Sequence, residues 1–361
     1  MNILILTNEG NVAGSTNSIA FLAKGLSEKG HAVFVGCRPQ SLLHSMLKGC
    51  KVNLVPMEFR KKIDLIDIKI VRDTVRTYHI QIINAQSTKD RYASILAKWL
   101  YRLPVKVIHT RRQTPLSSGG ALQRLFYTKG TEKIVVISDK LKETFVQKGY
   151  PENHLHVIYN GTPASRYQGV DPNETAIFRS RLGIKPDEII IGCVSRKKKQ
   201  DQLVRALAKL DIPCRVVFAG IEPGTYDQLA EQLGVKEKII YAGVVDMKSV
   251  LSLYPLFKVN VLCSTTDGFG LVLVESMAMG VPVVATRAHG IINVVDEGKN
   301  GFLFDDEDID QLSVNLRRIL TDEKLRAEMV TNGRFTTLNK FSMEKTIDNY
   351  EKFFQECLKD N

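Results

Sequence analysis

The chain has 361 residues, 44% of them hydrophobic and 25% charged, which is globular usage and excludes a disordered chain, a fibre or a coiled coil. That length exceeds what one core usually serves and points to two domains. The net charge of +11 is uneven: residues 1–160 hold 24 Lys and Arg against 11 Asp and Glu, and the rest hold 26 against 28. An anionic partner of the first half is therefore expected, whether acidic lipid, nucleic acid or a phosphorylated substrate.

Along the chain, short apolar runs alternate with amphipathic stretches. Residues 2–7 read as a buried strand rather than a signal peptide, because no basic segment precedes the apolar run. Ile19, Leu22, Ala23 and Leu26 fall at helical spacing, with Gly30 as a stop, and 32–36 is the next strand. Further strands are predicted at 52–56, 80–84, 104–109, 133–137 and 155–159. The polar stretch 161–175, with two prolines, reads as a linker. The alternation then restarts, with strands at 189–195, 214–220, 238–242, 259–263, 281–285 and 301–304 and three closing helices near 307–320, 322–336 and 341–358. This pattern predicts an α/β chain of two doubly wound Rossmann-like parallel-sheet domains facing across a cleft, with the cleft as the default binding site. The expected domains are 1–165, 166–340 and a C-terminal helix, 341–361, crossing back to the first. No run of about 18 apolar residues suits a membrane span. The six cysteines are scattered singly, as in a reduced, cytoplasmic protein.

Two loops carry phosphate-binding character. In the first, Ala13-Gly14-Ser15 opens a helix after the first strand, but there is no Gly-x-Gly-x-x-Gly and no acidic residue at Cys37, which argues against a dinucleotide dehydrogenase. In the second, the strand ending at Cys263 runs through Ser264-Thr265-Thr266-Asp267-Gly268-Phe269-Gly270 directly into a helix, 271–279. Glycines there allow close backbone approach, and free N–H groups at a helix start attract anions. Glu275 lies just over two turns further on and suits bidentate bonding to vicinal hydroxyls. Arg196-Lys197-Lys198-Lys199 end another predicted strand, where a cationic cluster can neutralise a departing diphosphate. Asp305-Asp306-Glu307-Asp308 read as a helix cap rather than a metal site.

Together these residues resemble the retaining glycosyltransferases of family 4, with the GT-B fold. The resemblance rests on STTDGFGLVLVESMAMGVPVVAT, HGIINVV and DEGKNGFLF in the second half, and on VVISDKLKETFVQKGYPENHLHVIYNGTP at 135–163. It implies that Glu275 holds the ribose hydroxyls of a nucleotide sugar and that Asp267, where the family has Glu, faces the donor hexose. It implies Arg196 on the diphosphate with Lys198 or Lys199 as its partner, and Phe269, Gly270, Leu271 and Val272 as the backbone cradle of the distal phosphate. Gly14 would face the same phosphates, and Val244 and Val245 would flank the base. Departures are His289-Gly290-Ile291-Ile292-Asn293 for the usual Gly-Gly-x-Pro-Glu, and Arg112 for the His of a Thr-Arg-His at the end of strand 104–109. The resemblance places His109 and Arg111 in the implied substrate-binding set and Arg112 in the implied catalytic set.

The expectation is a retaining, metal-independent hexosyl transfer from a UDP- or GDP-sugar to a glycan or glycolipid hydroxyl of lipopolysaccharide-core type. No cofactor is expected, and the leaving phosphate itself would take the acceptor's proton. Arg60-Lys61-Lys62, ahead of Ile63, Leu65, Ile66, Ile68, Ile70 and Val71, suggest contact with an anionic membrane from the cytoplasmic side. Rival readings are a soluble small-glycoside transferase and a nucleotide-sugar epimerase of the same fold. A nucleic-acid partner is disfavoured by the single Trp and the lack of an aromatic-interleaved basic stripe. The oligomeric state is left open.

Overall fold

The computed structural model describes residues 1–11, 14–112, 120–168, 170–246, 249–267 and 269–359; Ala13 and Gly268 of the motifs above lie outside the described residues. The chain forms two compact units, Met1–Gly161 with Met343–Asn361, and Thr162–Ser342. The changeovers thus fall at 161/162 and 342/343, against the 165/166 and 340/341 expected.

Unit 1 holds strands β1 (Asn2–Leu6), β2 (Ala32–Cys37), β3 (Asn53–Pro56), β4 (Ile82–Ala85), β5 (Lys106–Arg111), β6 (Lys133–Val136) and β7 (Leu155–Val157). Between them run α1 (Gly14–Glu28), α2 (Leu42–Leu47), α3 (Leu65–Thr77), α4 (Thr88–Tyr101), α5 (Ala121–Gly130) and α6 (Asp139–Gln147). Unit 2 begins with α7 (Pro172–Arg181) and continues with β8 (Ile189–Val194), α8 (Asp201–Ala208), β9 (Cys214–Ala219), α9 (Asp227–Gln232), β10 (Ile239–Gly243), β11 (Val259–Leu262), α10 (Leu271–Ala278), β12 (Val283–Thr286) and β13 (Gly301–Phe304). Helices α11 (Ile309–Thr321) and α12 (Glu323–Lys340) complete it, and α13 (Met343–Lys359) returns to unit 1. The sheets run β3-β2-β1-β4-β5-β6-β7 and β10-β9-β8-β11-β12-β13, parallel throughout. Each is the doubly wound arrangement that the alternating pattern predicts, with strand order reversing beside β1 and beside β8.

The strands are continuous apolar runs because helices cover both faces of each sheet. In unit 1, Ile3, Ile5, Val33, Val35 and Ile108 pack beneath Ile19, Leu22, Ala23 and Leu26 of α1. Ile347, Tyr350, Phe354 and Cys357, spaced along one stripe of α13, close the same core. Asp308 and Asp322 accept from Gln311 N and Leu325 N, so the acidic run at 305–308 ends in a helix cap.

The stretch 161–175 is not a free linker. Asp171 caps α7 by accepting from Asn173 N, and Pro172 takes its first turn, where a missing N–H is harmless. Thr162 N donates to Phe341 O at 2.9 Å, joining the outgoing and returning passes of the chain. The strand predicted at 104–109 runs instead to Arg111, since Pro104 cannot donate to a ladder and pairing starts at Lys106.

Gly192, in the middle of β8, lies under the Phe257 ring, where a Cβ would collide with ring carbons. Gly192→Ala is expected to destabilise unit 2 by about 2–3 kcal/mol through overpacking. A lowered urea midpoint at unchanged slope checks this; an unchanged midpoint refutes it.

Candidate functional site

In unit 2 the residues singled out in the sequence gather at the C-terminal ends of β8 and β11. The loop after β8 is pinned by the buried amide of Gln200, which donates to Ser195 Oγ at 2.6 Å and Arg196 O at 2.8 Å. The same side chain accepts from Lys198 N at 2.6 Å and from Tyr226 Oη at 3.0 Å. Gly220, at φ +92°, lets the loop settle against β9, since a Cβ there would stand 2.9 Å from Ser195 O. The loop therefore has a defined backbone, while the Arg196 side chain is exposed and makes no ion pair among the described residues.

The two lysines have different partners. Lys198 Nζ is bonded to the Asp267 carboxylate. Lys199 Nζ reaches Asp306 at 2.5 Å and Glu307 at 3.2 Å, on the segment before α11. Lys198 is thus joined to the β11 loop that carries Gly270, and Lys199 is held by a separate acidic pair.

After β11, Ser264 N donates to Thr286 Oγ1 at 3.1 Å, tying the loop to β12. Phe269 is buried and packs edge-on against Phe341, with ring centroids 5.3 Å apart. Gly270 follows at φ +77° and ψ +53°, a left-handed turn that aims the chain into α10. It gives α10 no capping side chain, so the first N–H groups at Leu271 and Val272 have no intrahelical acceptor and carry the positive end of the helix dipole.

Glu275 is 6% exposed, one turn along α10 from these groups. Its carboxylate holds Arg166 at 2.9 Å. Burial pushes the Glu275 carboxyl up from its usual range, and Arg166 and the Tyr254 hydroxyl oppose that rise. Tyr254 Oη also donates to Val272 O at 3.2 Å, and its own hydroxyl is held well above its usual range by burial and by Glu275. Arg166 comes from the first turns after the chain enters unit 2, far from Glu275 in sequence. Val244 is 77% exposed just after β10, and Val245 is half-buried against the Phe178 cluster.

In unit 1, Gly14 starts α1 beyond β1, and Ser18 Oγ donates to its carbonyl at 3.0 Å. With β5 running to Arg111, His109 and Arg111 lie on one face of the sheet and Thr110 and Arg112 on the other. His109 is 1% exposed against Tyr127, and burial with the nearby Arg91 and Arg111 holds its imidazole well below the usual pKa, hence neutral. Arg112 Nη1 bonds the side-chain oxygen of Gln86. Arg91, on α4, donates from Nη2 to Gln86 O at 3.0 Å and Thr110 O at 3.1 Å.

Arg166, Gln200 and Arg91 carry these arrangements and were missed by sequence reasoning. For Gln200 there was one signal, a polar residue at the start of a helix with an otherwise apolar face. For the other two only the folded chain gives it.

Residues 12–166 match the family model described as Glycosyltransferase Family 4, and residues 174–335 match Glycosyl transferases group 1. N-acetyl-alpha-D-glucosaminyl L-malate synthase of Bacillus anthracis is 27% identical over 278 residues, 74% of this chain and 72% of that protein. Lipopolysaccharide core biosynthesis glycosyltransferase LpsE of Rhizobium meliloti is 28% identical over 232 residues, 63% of this chain and 65% of its own length. Among solved structures, Anabaena HepE in complex with UDP matches with a TM-score of 0.81 at 20% identity, over 99% of this chain and 100% of that one.

Proposed function

The chain belongs to the glycosyltransferases of family 4, with the GT-B fold of two Rossmann-like units, and on that footing we propose that it moves a hexosyl group from a UDP- or GDP-sugar to a hydroxyl of an envelope glycan or lipid-linked acceptor, with retention of configuration. The observation that carries this reading is Gly270. Its left-handed turn presents an uncapped helix start beside the Lys198–Asp267 pair, one turn from a buried carboxylate.

In this reading the donor's diphosphate rests on the N–H groups of Leu271 and Val272. As the anomeric bond breaks, negative charge grows on the distal phosphate. Arg196 and Lys198 neutralise it, and the helix dipole adds to them without rearrangement. Asp267 steers the hexose and fixes Lys198, Glu275 accepts from the ribose hydroxyls, and Val244 flanks the base. The phosphate oxygen, on the same face as the incoming hydroxyl, takes its proton, so no side-chain base is assigned. The charge balance is met by side chains and backbone, and no metal is required. HepE, of the same fold, is described in complex with UDP, which supports a nucleotide partner here.

The envelope acceptor is supported by the LpsE likeness and by the charge distribution. Unit 1 carries 27 Lys and Arg against 16 Asp and Glu, so the whole +11 lies on it. Ile63, Leu65 and Ile66 are exposed beside Arg60–Lys62, while Ile68 and Val71 turn into the core. A small soluble acceptor is the second reading, favoured by the Bacillus anthracis relative named for an L-malate product. Among the described residues no helix is long and apolar enough to cross a membrane.

Thermal shift against nucleotides tests the donor site directly. A saturating nucleotide at a hundred times its Kd is expected to stabilise the protein by about 2.7 kcal/mol, with EDTA making no difference. No shift with any nucleoside diphosphate refutes the reading, and a shift abolished by EDTA refutes its metal-free form.

A further inference from the structure

Unit 2 holds a cavity that the nucleotide reading does not use. Its volume is about 200 Å³. Thr162, Ala164 and Tyr167 line it where the chain enters the unit, with Ala278 at the end of α10 and Arg334 and Leu338 on α12. Two glycines bring these walls together. A Cβ at Gly333 would stand 3.2 Å from Met277 Cβ, so its absence lets α12 close on α10. A Cβ at Gly280 would stand 2.4 Å from Arg334 Nη2, so its absence makes room for the guanidinium.

The walls are mostly apolar, but three polar groups on them are uncommitted. Thr162 is 4% exposed, and its Oγ1 and the neighbouring Tyr167 Oη are buried without completing a hydrogen bond among the described residues. Arg334 makes no ion pair among the described residues. The lining stretches 162–168, 276–286 and 330–342 contain no Asp or Glu. Glu275, just before the second of them, is already held by Arg166.

A buried hydroxyl without a partner is costly, and water would satisfy these two only by wetting apolar walls. An apolar cavity of about 150 Å³ admits a benzene ring, so this one has room for a ring or a branched chain with a polar head. The head it matches carries one negative charge, because one unpaired cation lines the cavity. A carboxylate suits the guanidinium fork and can accept from both hydroxyls. A phosphate dianion would remain half-neutralised against apolar walls.

We propose that this cavity is an effector site for a small apolar monocarboxylate, and that its occupancy tightens nucleotide binding. The coupling runs through Arg166. That residue lies between Ala164 and Tyr167 in the chain and holds Glu275, and Ala278 follows Glu275 by about one turn of α10. An occupant braced against Ala164, Tyr167 and Ala278 fixes the segments on both sides of that pair. It thereby keeps the Glu275 carboxylate ionised and in place for ribose hydroxyls. The regulatory half rests on the nucleotide-sugar reading, but the carboxylate site does not.

The test is isothermal titration of the full chain with phenylacetate, and with phenylacetamide as its uncharged counterpart. The wild type is expected to bind phenylacetate saturably in the millimolar range and phenylacetamide about tenfold more weakly. Arg334→Gln should weaken phenylacetate about tenfold, as loss of a charge-assisted hydrogen bond predicts, and Thr162→Val, which removes a hydroxyl at nearly constant shape, about threefold. Two variants are used so that misfolding of one, seen by its melting curve, leaves the other to decide; Arg334 is exposed, so its variant is expected to fold. Saturating phenylacetate should tighten UDP or GDP about threefold, and saturating nucleotide should tighten phenylacetate by the same factor, as linkage requires. Arg166→Met should lose this coupling and still bind phenylacetate. The site is overturned if phenylacetate does not bind saturably, if phenylacetamide binds equally well, or if a folded variant binds phenylacetate as the wild type does. Phenylacetate binding that leaves nucleotide affinity unchanged overturns the regulatory half. If no nucleotide binds, the glycosyltransferase reading fails instead, and the phenylacetate titration alone still judges the site.

Discussion

Replacing Arg196 with alanine is expected to slow sugar transfer about a hundredfold, a loss of ~3 kcal/mol of transition-state stabilisation, with little change in donor KM. The reason lies in what each cation near β8 already does. Lys199 is held by Asp306 and Glu307, and Lys198 is bonded to Asp267. Arg196 makes no ion pair among the described residues, and its backbone is fixed by the Gln200 amide, so its charge is uncommitted in a preset position. A charge with no ground-state partner contributes most when the diphosphate departs, which lowers kcat more than it raises KM. UDP or GDP release in the absence of acceptor measures this without knowing the acceptor. A loss of threefold or less would remove Arg196 from the mechanism.

Arg166→Met is the second large effect. Arg166 and Glu275 form a buried pair, and breaking such a pair from one side typically costs about 3–5 kcal/mol unless the remaining group neutralises. Here it will neutralise in part. Burial already raises the Glu275 pKa, and Arg166 is the chief force against that rise, so the variant's carboxyl rises further. The charged and titratable groups around it are then Tyr254 and Tyr167, neither of which supplies positive charge.

The sign of the pH dependence follows. A carboxyl whose folded pKa lies above its unfolded pKa stabilises the fold at low pH, and that contribution is lost as pH rises through the folded value. Arg166→Met should therefore fall behind the wild type in melting temperature as pH rises from about 5 to about 8. Nucleotide affinity should move the opposite way, weakest in acid, because a protonated carboxyl accepts fewer ribose hydroxyl bonds. A 2′,3′-dideoxy nucleotide should bind variant and wild type alike. Parallel pH profiles for the two proteins would show that the pair has no role in nucleotide binding.

Much of the fold is readable from the sequence because its determinants are local. Runs such as Ile3–Leu6 and Val259–Leu262 are apolar throughout, and the stripe Ile19, Leu22, Ala23, Leu26 marks α1 unambiguously. The loops at strand ends are also legible, since Gly270 and Arg196 sit at fixed offsets from those runs. What escaped is held by pairs distant in the chain. Nothing near Arg166 announces Glu275, and nothing near Arg91 announces Thr110, on the next strand, as its acceptor. Pro172 misled for a different reason: at a helix start it looks the same as in a linker until Asp171 is seen to cap the turn.

The return of α13 to unit 1 decides how the protein can be dissected. Unit 2 is one uninterrupted stretch, Thr162–Ser342, and is suited to expression as an isolated fragment. Unit 1 is not. A clone stopping at Gly161 would lack Ile347, Tyr350, Phe353 and Phe354 and leave the apolar face of α1 wet, inviting aggregation. Its sound form is a spliced gene in which a short flexible bridge joins residue 161 to residue 343.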